Sequence, residues 1–186
     1  MISIFNRYSK DKSGLAATEF ALVAPIMIFL FFAVVEGSDT LTASRKVSLA
    51  ANTLSDLVAQ ELSIEKDQLA DLFVGMENII DDRNISVDFT VVSVIKDPGT
   101  DQPVVHWSRD SNNNEPFSAG SPYTKLPDPS LLDDTESLIV GEVSYNYVPT
   151  FTSFLIGAKT IENTATRWPR RSLRVQFCTS PGNCTS

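Results

Sequence analysis

Residues 14–35 read Gly-Leu-Ala-Ala-Thr-Glu-Phe-Ala-Leu-Val-Ala-Pro-Ile-Met-Ile-Phe-Leu-Phe-Phe-Ala-Val-Val, and no other stretch of the chain limits its fold so strongly. After Gly14 the run holds one charge, Glu19, and one weakly polar side chain, Thr18. The 21 residues from Leu15 to Val35 make a helix of about 31 Å at ~1.5 Å per residue, enough to cross a hydrocarbon core of ~30 Å. Upstream stand Arg7, Lys10 and Lys12 against a single acid, Asp11. The excess of basic residues before the span keeps that end in the cytoplasm and directs everything after it outward.

A carboxylate at membrane depth costs several kcal/mol, so an acid retained there generally has a function. Glu19 is the fifth residue after Gly14, and Gly14 closes a short basic leader. This arrangement resembles the processing site of type IV pilin-like precursors, in which a prepilin peptidase cuts after the glycine and leaves the apolar helix on the mature protein. The resemblance implies a new amine on Leu15, one helical turn from the Glu19 carboxylate, so that the two charges neutralise each other in the membrane or between packed helices. The other reading of these residues is a plain signal anchor with an acid near the interface. A secretory signal peptide fits less well, because the apolar run is long and Val-Val-Glu-Gly-Ser after it offers no Ala-x-Ala cut site.

The wording Glu-Phe-Ala-Leu-Val-Ala-Pro, with Pro25 six residues after Glu19 and Phe20 directly following it, is similar to the N-terminal segment of TadE-like proteins. These are pseudopilins of the tight-adherence (Tad, or Flp) pilus system. Major Flp pilins are much shorter and carry Glu-Tyr in place of Glu19-Phe20. TadG-type relatives add a domain with an Asp-x-Ser-x-Ser metal motif, which this sequence lacks. TadE or its sister TadF is the nearer resemblance, and the residues do not separate those two. The resemblance implies a minor pilin in Tad pilus assembly and surface attachment. Its expected partners are a prepilin peptidase, other pilin-like subunits and the inner-membrane assembly platform. It also implies a single-pass inner-membrane protein with a cytoplasmic N-terminus and a periplasmic domain. The competing reading is an uncleaved, membrane-anchored periplasmic binding or envelope protein.

The rest of the chain has room for one exported domain of ordinary size, giving segments 1–14 (leader), 15–36 (membrane helix) and 37–186 (domain). The formal charge of −8 becomes −10 once the three bases and one acid of the leader are removed. So acidic a surface is unsuited to nucleic acid or to anionic lipid headgroups. Membrane attachment therefore has to come from the helix.

After Val35 the pattern turns amphipathic: Val47, Ala50, Ala51, Leu54, Leu57, Val58 and Leu62 recur at three- and four-residue spacing. One helix from Leu15 to about Glu61 is expected, loosened at Pro25, with Gly37-Ser38 a second place for a bend. Two helices joined near Gly37 are the alternative. Ser63 suits an N-cap, with Glu65 and Asp67 in the first turn. The stripe Leu69, Leu72, Phe73, Met76 and Ile79 belongs to a core helix.

Residues 84–96 alternate as a half-buried strand, Asp97-Pro-Gly99 makes a turn, and residues 103–107 return as a short strand. Residues 109–129 read as loop. Asp110-x-Asn112-x-Asn114 has the opening of a calcium loop but lacks its glycine and its closing acid, and a solvated loop is the better reading. Residues 137–148 and 159–168 form two more strands, Tyr145 and Tyr147 sharing a face. Val-x-Tyr-x-Tyr-x-Pro followed by Arg167-Trp-Pro-Arg170 looks, more loosely, like the C-terminal half of TadE-type pseudopilins. Helices followed by strands without alternation point to an α+β fold, a pilin-like lollipop with a small antiparallel sheet on the N-terminal helix.

Cys178 and Cys184 are the only cysteines, and in an exported domain they are expected to pair and tie down the C-terminal tail. No cofactor is implied. His106, the single histidine, has no nucleophile to serve, and no phosphate-binding glycine loop is present, so the expectation is a protein that is not an enzyme.

Overall fold

The computed structural model describes residues 13–80, 87–126, 128–151, 153 and 157–185. The leader expected at residues 1–14 lies largely outside these, as do residues 84–86 of the first expected strand.

Helix α1 spans Ser13–Ala59 and continues through both Pro25 and Gly37. The alternative of two helices meeting at Gly37 is thereby set aside. Strand β1 (Ser63–Glu65) and helix α2 (Lys66–Ile80) follow, then β2 (Val87–Lys96), β3 (Pro103–Asp110), β4 (Leu138–Tyr147), β5 (Lys159–Arg167), β6 (Gln176–Ser180) and β7 (Asn183–Cys184). The main sheet has the order β3-β2-β4-β5 with every pair antiparallel. The architecture is α+β, a long apolar N-terminal helix packed on small sheets.

The second half of α1 buries Ala43, Val47, Ala50, Ala51, Leu54, Ser55 and Val58, one stripe at helical spacing. It packs on the sheet face carrying Val87, Phe89, Val91, Ile139, Tyr145, Tyr147 and Ala165. Contact is closest at Gly141, where an added Cβ would lie 3.0 Å from the Ala51 carbonyl oxygen and 3.3 Å from Ser55. Only glycine lets the helix backbone come this near the strand. Leu62, expected on the buried stripe, is exposed because the helix has already ended at Ala59. In α2 the buried set is Leu69, Phe73, Met76 and Ile80, with Leu72 packed beside them and Ile79 turned outward.

Three differences from the sequence reading have physical causes. Ser63 is not an N-cap. Residues 63–65 pair in parallel with residues 176–178, so their backbone belongs to a second sheet of order β1-β6-β7. The helix begins three residues later, where Gln68 Oε1 accepts from the Glu65 N–H at 3.0 Å, half of a capping box. Strand β3 runs on to Asp110, beyond the expected end at residue 107, because Thr90 to Ser93 continue to pair with residues 107–110. The segment after it is also more than a solvated loop. Tyr123, Leu126 and Leu132 cover Val92, Val94, Val105, Leu138 and Val140 on the sheet face opposite α1, forming a second small core.

Candidate functional site: an exposed apolar helix and its carboxylate anchor

The first half of α1 stands clear of the domain. From Leu15 to Phe31 its large apolar side chains are exposed on every side, from 50% at Val23 to 73% at Leu22. This is the one described helix long and apolar enough to cross a membrane. A soluble helix hides one stripe, whereas a helix apolar all round needs lipid or other helices about it. The Thr18 hydroxyl donates to the Leu15 carbonyl at 2.8 Å, so this polar group is satisfied within the helix.

Gly14, Leu15, Glu19, Phe20 and Pro25 all lie exposed on this half. Glu19 is one turn beyond Leu15, which puts the two on the same side of the helix. The domain touches none of the space a Gly14 side chain would occupy. The structure therefore gathers these five residues on one free end of the helix.

A second acid, which the sequence reading passed over, governs where the free half ends. Glu36 follows directly after the apolar run and is buried, only 6% exposed. Its Oε1 accepts the Thr150 N–H at 2.7 Å and its Oε2 accepts the Phe151 N–H at 3.0 Å. The Tyr147 hydroxyl donates to Oε1 from 3.5 Å. One turn earlier the Phe32 ring packs on that of Phe151, centroids 4.9 Å apart. The turn leaving β4 is thus clasped to α1 where the apolar span stops. A signal was available: Glu36 stands seven residues before Ala43 and eleven before Val47, on the buried stripe.

The other end of α1 is held by the Arg167-Trp-Pro-Arg170 group. Arg167 Nη2 donates to Asn52 Oδ1 at 2.8 Å, and Arg170 forms an ion pair with Asp56. The Arg170 backbone N–H donates to the Ala59 carbonyl at 2.8 Å, satisfying one of the carbonyls left open at the helix end.

Cys178 and Cys184 form a disulfide across the β6–β7 pair. They lie away from the helix residues above, in the second sheet. His106 is nearly buried in β3 with Nδ1 3.4 Å from the Ser93 hydroxyl. The Asp110 carboxylate accepts from the Asn114 backbone N–H at 2.6 Å and from its side-chain amide at 3.1 Å, which closes a turn on itself. Hydrogen bonds from Thr100 and from the Gly99 backbone hold the Asp97 carboxyl below the usual carboxylate range. Burial, followed by the hydrogen bond to Glu142, pushes the Tyr123 hydroxyl well above the usual phenol range.

No curated protein and no solved structure matches the chain. Residues 14–54, comprising the exposed half of α1 and most of the stripe that packs on the sheet, match the family model of TadE-like proteins, and in this segment the chain is similar to that family.

Proposed function

We propose that the chain is a minor pilin or pseudopilin of a Tad (Flp) pilus system, acting in pilus assembly and surface attachment. The observation that carries this reading is the first half of α1, apolar on all sides and uncovered by the domain, within a segment similar to TadE-like proteins. Such a helix rests in a lipid bilayer and packs on neighbouring helices when subunits assemble. Both environments exclude water, so one sequence serves both.

In this reading a prepilin peptidase cuts between Gly14 and Leu15. The freed Leu15 amine and the Glu19 carboxylate then sit one turn apart and neutralise each other. A charge kept in an apolar interface can also fix the register of one helix against the next. The basic leader keeps the N-terminus cytoplasmic, and the domain lies in the periplasm. Its partners are the peptidase, other pilin-like subunits and the inner-membrane assembly platform.

The test is a chromosomal Glu19→Ala strain assayed for protein level, N-terminal sequence and pili. Removing the charge leaves Gly14 and the apolar span intact. The protein is expected to be made, cut at Leu15 and inserted, while pili and surface attachment are lost. Normal pili from a processed variant would exclude Glu19 as a packing determinant. A wild-type protein that keeps residues 1–14 would make it an uncleaved anchored envelope protein.

A further inference from the structure

We infer that the turn at residues 148–151 is a second, shallow membrane contact, which seats the domain on the bilayer surface. The inference rests on the reading of α1 as a membrane helix. If residues 15–35 fill the hydrocarbon, Val35 marks its outer boundary, and Phe32 lies about 4.5 Å inside it. The Phe151 ring packs on Phe32 with 4.9 Å between centroids, so it reaches the same depth. Phe151 is nevertheless 45% exposed and Val148 42% exposed. The open surface of Phe151 therefore lies beside the helix at the level where acyl chains meet headgroups, and Val148 is exposed three residues away in the same turn.

Non-helical backbone is not tolerated at that depth unless its polar groups are satisfied. Three of the four turn residues meet that condition for their donors. Pro149 has no N–H, and the Thr150 and Phe151 N–H groups both donate to Glu36. The carboxylate that accepts them is shielded by the turn it holds. These two N–H groups are thus satisfied without water. The occupant is the apolar boundary of the bilayer and not its charge, because the chain carries a formal −8 and repels anionic headgroups. Seating therefore needs no anionic lipid, and on a zwitterionic bilayer it does not depend on salt.

The test uses the full chain in nanodiscs of zwitterionic phosphatidylcholine. Cys178 and Cys184 are disulfide-bonded, so a single introduced cysteine can be spin-labelled selectively. Labels are placed through Phe29→Cys in the span, Val148→Cys and Phe151→Cys in the turn, and Gly99→Cys in the exposed turn between β2 and β3. Val148→Cys leaves the Phe151 ring in place and keeps the test valid if Phe151→Cys loosens the turn. The measurement is accessibility to oxygen, which concentrates in lipid, against accessibility to a water-soluble nickel chelate. The expected ratio is highest at position 29, lowest at 99, and at 148 several-fold above that at 99, in high salt as in low. A lipid-like value at 29 with a water-like value at 148 and 151 overturns the inference and leaves the membrane helix standing. A water-like value at 29 overturns the membrane reading of α1 itself. Positions 148 and 151 shielded from both reagents would mean a protein contact, such as a second copy of the chain, and would also overturn the lipid assignment.

Discussion

Individual carboxylates in this chain stand in very different surroundings. Glu19 stands exposed on a free helix, whereas Glu36 is buried and holds two backbone N–H groups and a tyrosine hydroxyl. Glu36→Ala strands those donors and is expected to cost about 1–3 kcal/mol, read as a lower thermal midpoint. The variant should also show faster amide exchange at residues 150 and 151. Ser137 presents the opposite case. Its hydroxyl is buried without a hydrogen-bond partner among the described residues, so Ser137→Ala removes an unsatisfied group. The expected thermal midpoint is equal or higher, and a clear fall would show that the hydroxyl is satisfied after all. Asp97 should titrate, by carboxyl NMR shifts, below the ordinary aspartate range because Thr100 and Gly99 donate to its ionised form. Its small contribution to stability is present above the unfolded pKa and fades as pH falls through the folded one.

Among the elements, α1 is the member on which the rest is assembled. Its C-terminal half is fixed by an apolar stripe, by Arg167 and Arg170 on Asn52 and Asp56, and by the close approach at Gly141. Gly141→Ala puts a methyl group against the Ala51 carbonyl and must lift the helix. A loss of about 1–3 kcal/mol is expected, measured by denaturation in detergent. A stability equal to wild type would mean that the helix can shift at no cost. At the far end, β6 joins the core through Phe177 and β1, while β7 is held by its pairing and by the disulfide. Replacing Cys178 and Cys184 by serine should cost about 2 kcal/mol for so short a loop. Hydrogen exchange should rise in β7 far more than in β4.

Taken whole, the chain joins a folded α+β domain to a helix that the domain leaves uncovered. That imbalance determines where it can exist. The domain carries a net negative charge, and residues 15–35 of α1 hold only apolar side chains apart from Thr18 and Glu19. In the proposed orientation, with Arg7, Lys10 and Lys12 holding the N-terminus inside, a reporter active only in the periplasm and fused after Ser186 is expected to work. Activity of a cytoplasmic reporter at that position would reverse the proposed orientation.

Much of this organisation is local and therefore readable from residue order. The apolar span, the helix that continues from it, the buried stripe from Val47 to Val58 and strands β2, β4 and β5 each announce themselves by composition or period. The candidate site was legible in its N-terminal part, Gly14 to Pro25, since a glycine, an acid and an apolar run need no tertiary partner to be recognised. What only the tertiary structure decided depends on residues far apart in the chain. Ser63 to Glu65 became a strand because residues 176–178 lie beside them. The segment after β3 became the lid of a second core because Tyr123, Leu126 and Leu132 found an open sheet face. Glu36 became an anchor because residues 147–151 return to it across more than a hundred positions. An acid after an apolar run looks the same in sequence whether it faces water or a buried pair of N–H groups. Only the folded chain brings those donors to it.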